Sequence, residues 1–132
     1  MAIGQHLETY LNEYTPLDEK VNGRIYPMRF PRGTDFPCVT YHRITSPSQP
    51  DLPVSYPTYQ LSVWAERYGE AEEVAELIKQ ALHRHKGSMG DIKILNANHE
   101  DTREDYNEGS ELYHFPVDIK ITHWEGNRHE AD

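Results

Sequence analysis

Residues 113–122 read YHFPVDIKIT, and every second residue of this stretch is apolar. Successive side chains of a β-strand point to opposite faces of the sheet, so this alternation predicts a strand with one buried and one solvated face. Pro116 lacks a backbone N–H, which favours an edge position or a bulge near the start of the strand. The apolar positions are Tyr113, Phe115, Val117, Ile119 and Ile121.

The same patterns predict further elements towards the N-terminus. Alternation indicates strands, and apolar residues at steps of three and four indicate amphipathic helices. The expected strands are residues 24–26, 38–44, 59–65 and 92–96. The expected helices are residues 2–14 and 69–86, with a short helical turn at 16–21. The acidic segment 99–111, HEDTREDYNEGSE, has no such pattern and is expected to be a solvated loop.

This order of elements predicts an α+β fold. We expect a two-layer single domain with one mainly antiparallel, twisted sheet of about four strands, packed on one face by two helices. The domain is expected to span residues 1–124, followed by a polar C-terminal tail at 125–132. Residues 45–57, TSPSQPDLPVSYP, are rich in proline and serine and are expected to form a long projecting loop.

The charge and cysteine content exclude several classes of protein. The net charge is -9 and the 13 Lys and Arg residues are scattered, so a basic surface for nucleic acid is not expected. The single cysteine, Cys38, excludes an internal disulfide. The N-terminal residues have no signal-peptide pattern, and no apolar run approaches the ~20 residues of a membrane span. We therefore expect a soluble protein made in a reducing cytoplasm, without membrane contact.

The search for catalytic and metal-binding residues assigns none. His83 and His85 are two residues apart, which places them on different sides of a helix rather than at the spacing of a zinc-binding pair. Cys38 follows a proline at the start of a strand and is expected to be an inert thiol. The sequence has no serine nucleophile elbow, phosphate-binding glycine loop or dinucleotide fingerprint, so no cofactor is expected.

The segment 27–37, PMRFPRGTDFP, is the strongest candidate for a binding surface. Its three prolines exclude a helix and a central strand, and a stiff backbone loses less entropy when it is ordered at an interface. Arginine and aromatic residues are enriched at protein interfaces. We expect this segment and residues 46–57 to project from the sheet and contact other proteins. The predicted interface residues are Arg29, Phe30, Arg32, Phe36, Gln49, Pro50, Asp51, Leu52 and Tyr56.

Four motifs in a fixed order resemble a known family. They are GRIYP at 23–27, FPCVTYHRI at 36–44, YQLSVWAERYGEAEEVAELIKQAL at 59–82 and EDYNEGSELYHFPVDIKITHW at 104–124. With the N-terminal amphipathic helix, they resemble the tail-completion proteins (tail terminators, or tail-to-head joining proteins) of long-tailed bacteriophages and prophages. The resemblance covers residues 3–124. The chain departs from the family's pattern in its proline-rich loop 45–57 and its longer polar tail.

The resemblance implies a virion structural protein with no catalytic residues. Such proteins form a hexameric ring at the head-proximal end of the tail tube, stop its growth and join the tail to the head connector. The implied partners are other copies of the chain, the tail tube protein and the head-tail connector protein, with DNA only as cargo passing through the channel. The implied location is the virion, at the head–tail interface, and the host cytoplasm during assembly.

Two other interpretations remain open at this stage. One is a different phage role on a similar fold, such as a neck or head-completion protein. The other belongs to a different class, a metal-dependent hydrolase that would use His83, His85, His99 and His114.

Overall fold

The structure is a computed structural model that describes residues 3–45 and 53–124. Three helices are present, namely α1 (Ile3–Asn12), α2 (Thr15–Val21) and α3 (Tyr68–Leu82). The strands are β1 (Ile25–Pro27), β2 (Cys38–Thr45), β3 (Val54–Ser55), β4 (Thr58–Ala65), β5 (Gly87–Met89), β6 (Ile92–Thr102), β7 (Asp105–Asn107) and β8 (Leu112–Trp124). None of the helices in these ranges is long and apolar enough to cross a membrane.

The eight strands form one mixed sheet with the order β1-β2-β4-β8-β6-β5, while β3 and β7 pair with the two ends of β8. β1 runs parallel to β2, and the other pairs are antiparallel. The predicted sheet of about four strands packed by two helices is therefore wrong. The strands absent from the prediction are β3, β5 and β7, which have two or three residues each and are too short to show alternation.

The core lies between the helices and one face of the sheet. β8 is central, and its side chains Phe115, Val117, Ile119 and Ile121 are almost completely buried. Apolar residues of the three helices pack on these side chains. The packing removes the apolar surfaces of the helices and of the sheet from water, which is the main favourable contribution to folding. The helical members are Ile3, Leu7, Leu11, Leu17, Val21, Ala71, Val74, Ala75, Ile78, Ala81 and Leu82.

Pro116 lies in β8, in the centre of the sheet, so the edge position, one of the two that the sequence favoured, is wrong. Its register partner on one side is Ser62 of β4, and its carbonyl oxygen accepts a hydrogen bond of 3.0 Å from the Arg103 backbone N–H. The N and O of a strand residue point to the same neighbour. The missing N–H therefore faces the interruption between β6 and β7, where no partner strand requires a donor.

The acidic segment 99–111 is not a loop over its whole length, because residues 99–102 continue β6 and residues 105–107 form β7. Backbone hydrogen bonds to β8 hold both strands, and these bonds do not depend on the polarity of the side chains. Register shifts between Ile94 and Asn96 and between His99 and Asp101 interrupt the alternation of β6. A polar strand of this kind gives no periodic signal.

The chain that follows α3 covers part of the outer edge of β6. The predicted helix continued to residue 86, but α3 ends at Leu82. The Arg84 N–H donates to the Ala97 carbonyl over 2.6 Å, and the His99 N–H donates to His83 Nδ1 over 3.0 Å. These bonds satisfy backbone groups of β6 that would otherwise offer an edge for unwanted strand pairing.

Gly90 fixes the turn between β5 and β6 against α1. Its φ is +64°, and a methyl group at this position would collide with the His6 ring, whose Nε2 lies 3.1 Å from Asp91 Oδ1. We expect Gly90→Ala to lower the free energy of unfolding by about 1–3 kcal/mol, through backbone strain and displacement of His6. Urea denaturation measures this difference. Gly69→Ala is the control, because a methyl there meets no atom within 4 Å; equal losses in the two variants would contradict the prediction.

Candidate protein-interaction site

The segment 28–36 packs on the sheet face opposite the helices, through a cluster of four rings. The Phe30 ring centroid lies 5.5 Å from that of Trp64 on β4, and the Phe36 centroid lies 5.2 Å from that of Phe30. The His114 ring of β8 stacks on Trp64, with a centroid distance of 4.0 Å and an angle of 2° between the planes. We call these four residues the aromatic cluster. The Phe30 ring anchors the segment to the sheet, and Phe36 packs on Phe30.

Polar contacts fix the same region. Trp64 Nε1 donates a hydrogen bond of 3.0 Å to Thr40 Oγ1 on the neighbouring strand, which sets the orientation of the indole. Arg24 Nε donates to the Pro37 carbonyl over 3.1 Å, and the Met28 N–H donates to the Tyr41 carbonyl over 2.8 Å. The start of the segment is thereby tied to β2, and Pro37 at its end is tied to Arg24. The segment is held in place before any partner binds.

The predicted interface residues occupy different environments. Arg29 and Arg32 are exposed and make no ion pair with any residue in the described ranges. Phe30 and Phe36 are half-buried by the aromatic cluster, so packing within the chain explains part of their presence. Their contact with another protein, like that of the arginines, stays a prediction.

The remaining predicted residues belong to the proline-rich stretch. Gln49, Pro50, Asp51 and Leu52 lie outside the described residues. Tyr56 is half-buried, and the Lys120 ammonium lies 5.9 Å from the centroid of its ring. Part of the predicted loop 45–57 is strand, because Val54 and Ser55 form β3 and pair with the end of β8.

A second exposed surface lies between α3 and the β6–β7 segment, where a cleft has a volume of about 260 Å³. Tyr68 stands beside the cleft and donates a hydrogen bond of 2.8 Å to Glu104 Oε1. The Tyr106 and Tyr113 rings are in contact nearby, with centroids 4.8 Å apart. The cleft is lined by Glu72, Ala75, Glu76, Lys79, His99, Thr102, Glu104 and Phe115. Sequence reasoning missed this surface; the only available signal was the high tyrosine content of the chain.

The histidines of the hydrolase hypothesis lie in three separate places. His83 contacts His99, with ring centroids 6.4 Å apart. His85 packs against Tyr10, and His114 belongs to the aromatic cluster. Within residues 3–45 and 53–124, no group of three or more His, Cys, Asp or Glu side chains could hold a metal ion.

Cys38 begins β2 opposite Trp64 of β4 and is fully buried. Burial raises the pKa of its thiol to about 12, which the nearby Arg24 charge opposes only in part. The reactive form of cysteine is the thiolate. The thiol is therefore protonated at neutral pH and is a poor nucleophile.

His114 gives the stability of the fold a pH dependence. Burial lowers the pKa of this histidine, and the nearby Asp105 opposes the effect in part. The folded pKa lies below the ordinary value of about 6.5, so the unfolded chain takes up the proton first as the pH falls. The contribution of His114 to the free energy of unfolding should therefore decrease as the pH is lowered through about 6.5. This contribution becomes constant below the folded pKa.

The variant His114→Phe tests this effect, because phenylalanine keeps a ring against Trp64 but has no titrating group. We expect the loss of stability between about pH 7.5 and about pH 5 to be smaller in the variant than in the wild type. Some loss remains in the variant, because burial and the charge of Lys79 also lower the pKa of His99. Urea denaturation of both proteins at the two pH values measures this loss of stability. An identical pH dependence in the two proteins would show that His114 does not contribute.

Comparison with known proteins agrees with this architecture. The sequence matches the family described as Tail completion protein gp17 over residues 10–123. The fold is similar to that of a chain in the solved structure "Virion of native gene transfer agent (GTA) particle", with a TM-score of 0.77 and 12% sequence identity. The alignment covers 93% of this chain and 95% of that chain. At this identity the similarity concerns the fold. No curated protein matches the chain.

The family match extends over almost all of the four motifs that resembled tail-completion proteins, and it confirms that recognition. Members of such a family are structural proteins of the phage tail, so the place of this protein is the virion. The match from residue 10 to residue 123 shows that the chain belongs to the tail completion protein gp17 family.

Proposed function

We propose that copies of this protein form a hexameric ring on the head-proximal end of the phage tail tube, end its growth and join the tail to the head connector. The observation that carries the proposal is the family match over residues 10–123. The similarity of the whole fold to a chain from a native gene transfer agent particle supports it. The proposal is finer than the family description, which names tail completion alone.

The surfaces of the chain suit a role in assembly rather than catalysis. A ring at a tube end needs contacts with its own copies, with the tail tube protein and with the head-tail connector protein. The segment 28–36 is a candidate for one of these contacts, because it is exposed at Arg29 and Arg32 and is held rigidly by the aromatic cluster. Binding to a surface that is already ordered costs less conformational entropy.

DNA enters the proposal only as cargo. The net charge of -9 repels the phosphate backbone, so a channel formed by these chains would let DNA pass without holding it. Tight binding of duplex DNA to the assembled protein at physiological salt would contradict this part of the proposal.

A neck or head-completion role is the second candidate, because it needs the same kind of assembly surfaces. The metal-dependent hydrolase receives no support from the described residues, since its four histidines are divided among three places. The two assembly roles differ in the location of the protein in the virion and in whether the tail or the head is defective when the protein is absent.

Immunogold labelling of assembled particles tests the location. An antibody against the chain should place gold at the junction of head and tail, and quantitative mass spectrometry should give a copy number that fits one hexameric ring per particle. Particles stripped of the protein by mutation serve as the labelling control. Gold along the tail shaft, at the distal tip or over the head surface would contradict the proposal.

A further inference from the structure

Exposed large apolar side chains occur at two sites that also carry exposed charged residues. Those of the described residues are Met28, Ile44, Tyr68, Tyr106 and Trp124, with exposed fractions between 42% and 70%. Met28 directly follows β1 and precedes Arg29 in the segment 28–36, whereas Ile44 lies near the far end of β2. Tyr68 and Tyr106 lie on the β7 side, beside Glu72, Glu76 and Glu104. Exposed apolar groups that cluster with charged residues mark interaction sites.

We name the two sites by their composition. The arginine edge consists of Met28, Arg29 and Arg32. The tyrosine edge consists of Tyr68, Glu72, Glu76, Glu104 and Tyr106. At the end of the sheet that carries β7, the strands follow one another as β1-β2-β4-β8-β7. The segment that carries Arg29 and Arg32 packs over β4 on the sheet face opposite the helices, whereas Tyr68, Glu72 and Glu76 belong to α3 on the other face. The two sites therefore lie on different faces of the sheet.

The two sites are complementary in charge and in shape. Arg29 and Arg32 are exposed and without an ion pair among the described residues, and the same holds for Glu72 and Glu76. The arginines project from a segment that is anchored on the aromatic cluster, whereas the glutamates line the 260 Å³ cleft. A guanidinium is attracted to carboxylates and also to the face of a tyrosine ring.

We propose that the arginine edge of one copy binds the tyrosine edge of the next copy, so that the chain assembles head to tail. The proposal deepens the ring of the proposed function and rests on it, since it names the two surfaces through which the ring closes. A contact between two different surfaces, repeated by rotation, generates a ring or an open helix. A two-fold dimer through either site alone would instead bring arginine close to arginine or glutamate close to glutamate, which is unfavourable.

A disulfide between copies tests the contact directly. A chain that carries both Arg32→Cys and Glu104→Cys should form a ladder of cross-linked species when it is oxidised at millimolar concentration, because every copy can link to two neighbours. Either substitution alone should leave mostly monomer. The native Cys38 is buried and does not interfere. A chain with Arg32→Cys and Lys93→Cys is the matched control, because Lys93 is exposed but lies outside both edges.

Two results of the cross-linking would overturn the proposal. The first is a ladder that forms no faster with Glu104→Cys than with Lys93→Cys. The second is efficient dimer formation by either single variant, which would indicate a contact between identical surfaces.

Charge reversal provides an independent test by sedimentation equilibrium. The double variant Arg29→Glu/Arg32→Glu and the double variant Glu72→Arg/Glu76→Arg should each weaken self-association by roughly 100-fold. All four changes in one chain should restore it, because the charges are then exchanged. Reversal of the exposed Glu13 and Glu19 to arginine controls for net charge and should have little effect. Unchanged association in both double variants would overturn the proposal.

These outcomes separate the contact from the proposed function. Gold label at the head–tail junction with charge-reversed variants that still associate would overturn the contact and leave the function intact. A cross-linked ladder from a protein that is absent from the junction would overturn the function and leave the contact intact.

Discussion

Replacing Phe115 with alanine is expected to lower the free energy of unfolding by about 3–5 kcal/mol, the largest loss of stability predicted for this fold. Phe115 is 1% exposed and lies on the central strand β8, opposite Val63 of β4. Its ring contacts Tyr68 at the start of α3, with a centroid distance of 5.5 Å. Domains of this kind are stable by only about 5–15 kcal/mol, so the loss would unfold a measurable fraction of the protein at body temperature.

Urea denaturation measures the Phe115→Ala effect, and Phe115→Leu is the matched control. Leucine retains much of the buried apolar volume, so the control should lose less than half as much stability. A loss below about 1 kcal/mol for Phe115→Ala is the range typical of surface substitutions. That result would show that Phe115 does not lie at the centre of the core.

Replacing Trp64 with alanine is expected to release the segment 28–36 while the sheet remains folded. The indole is the contact between Phe30 and the sheet, and it also stacks on His114. Its loss also removes the hydrogen bond to Thr40. Tail capping should be abolished, because Arg29 and Arg32 are no longer held in one place. Trypsin should cleave after these arginines about tenfold faster, since cleavage follows the population of the open form.

Trp64→Phe separates the anchoring of the segment from the hydrogen bond. It keeps a ring between Phe30 and His114 but has no donor for Thr40 Oγ1, so cleavage should stay near the wild-type rate. Circular dichroism of the three proteins confirms that the sheet is folded. Rapid tryptic cleavage in Trp64→Ala together with normal tail capping would show that a fixed segment 28–36 is not needed for assembly.

The strands with an apolar face were predictable from the sequence. Strands expected at 38–44, 59–65 and 113–122 correspond to β2, β4 and β8, because one face of each is buried against the helices. Burial of one face produces a period of two in the sequence. The short β1 and the helices α1 and α2 were also located, by apolar spacing and by the positions of proline and glycine.

The missing strands could not be found by the same reasoning. β7 and the second half of β6 are exposed and acidic. Backbone hydrogen bonds to β8 hold them in the sheet, and these bonds do not require alternating apolar side chains. β5 depends on the turn at Gly90 and on the path of the chain after α3. Partners of this kind are distant in the sequence, and only the fold brings them together.

The candidate site was predictable in part. The composition of residues 27–37 drew attention to Arg29 and Arg32, which are exposed as an interface requires. The packing of Phe30 on Trp64 could not be predicted, because these residues are far apart in the sequence and only the fold brings their rings into contact. The tyrosine edge combines residues from α3 and β7, so its assembly depends on a strand that the sequence did not reveal.

The central claim is that this chain completes phage tails as a structural part, and electron microscopy of particles made without it tests that claim most directly. Deleting its gene from the phage and imaging the products should give tails of irregular or excessive length, or tails that are not joined to heads, and the chain supplied in trans should restore normal particles. Tails of normal length that are joined to heads would contradict the claim. Normal tails beside heads that have lost their DNA would instead assign the chain to head completion.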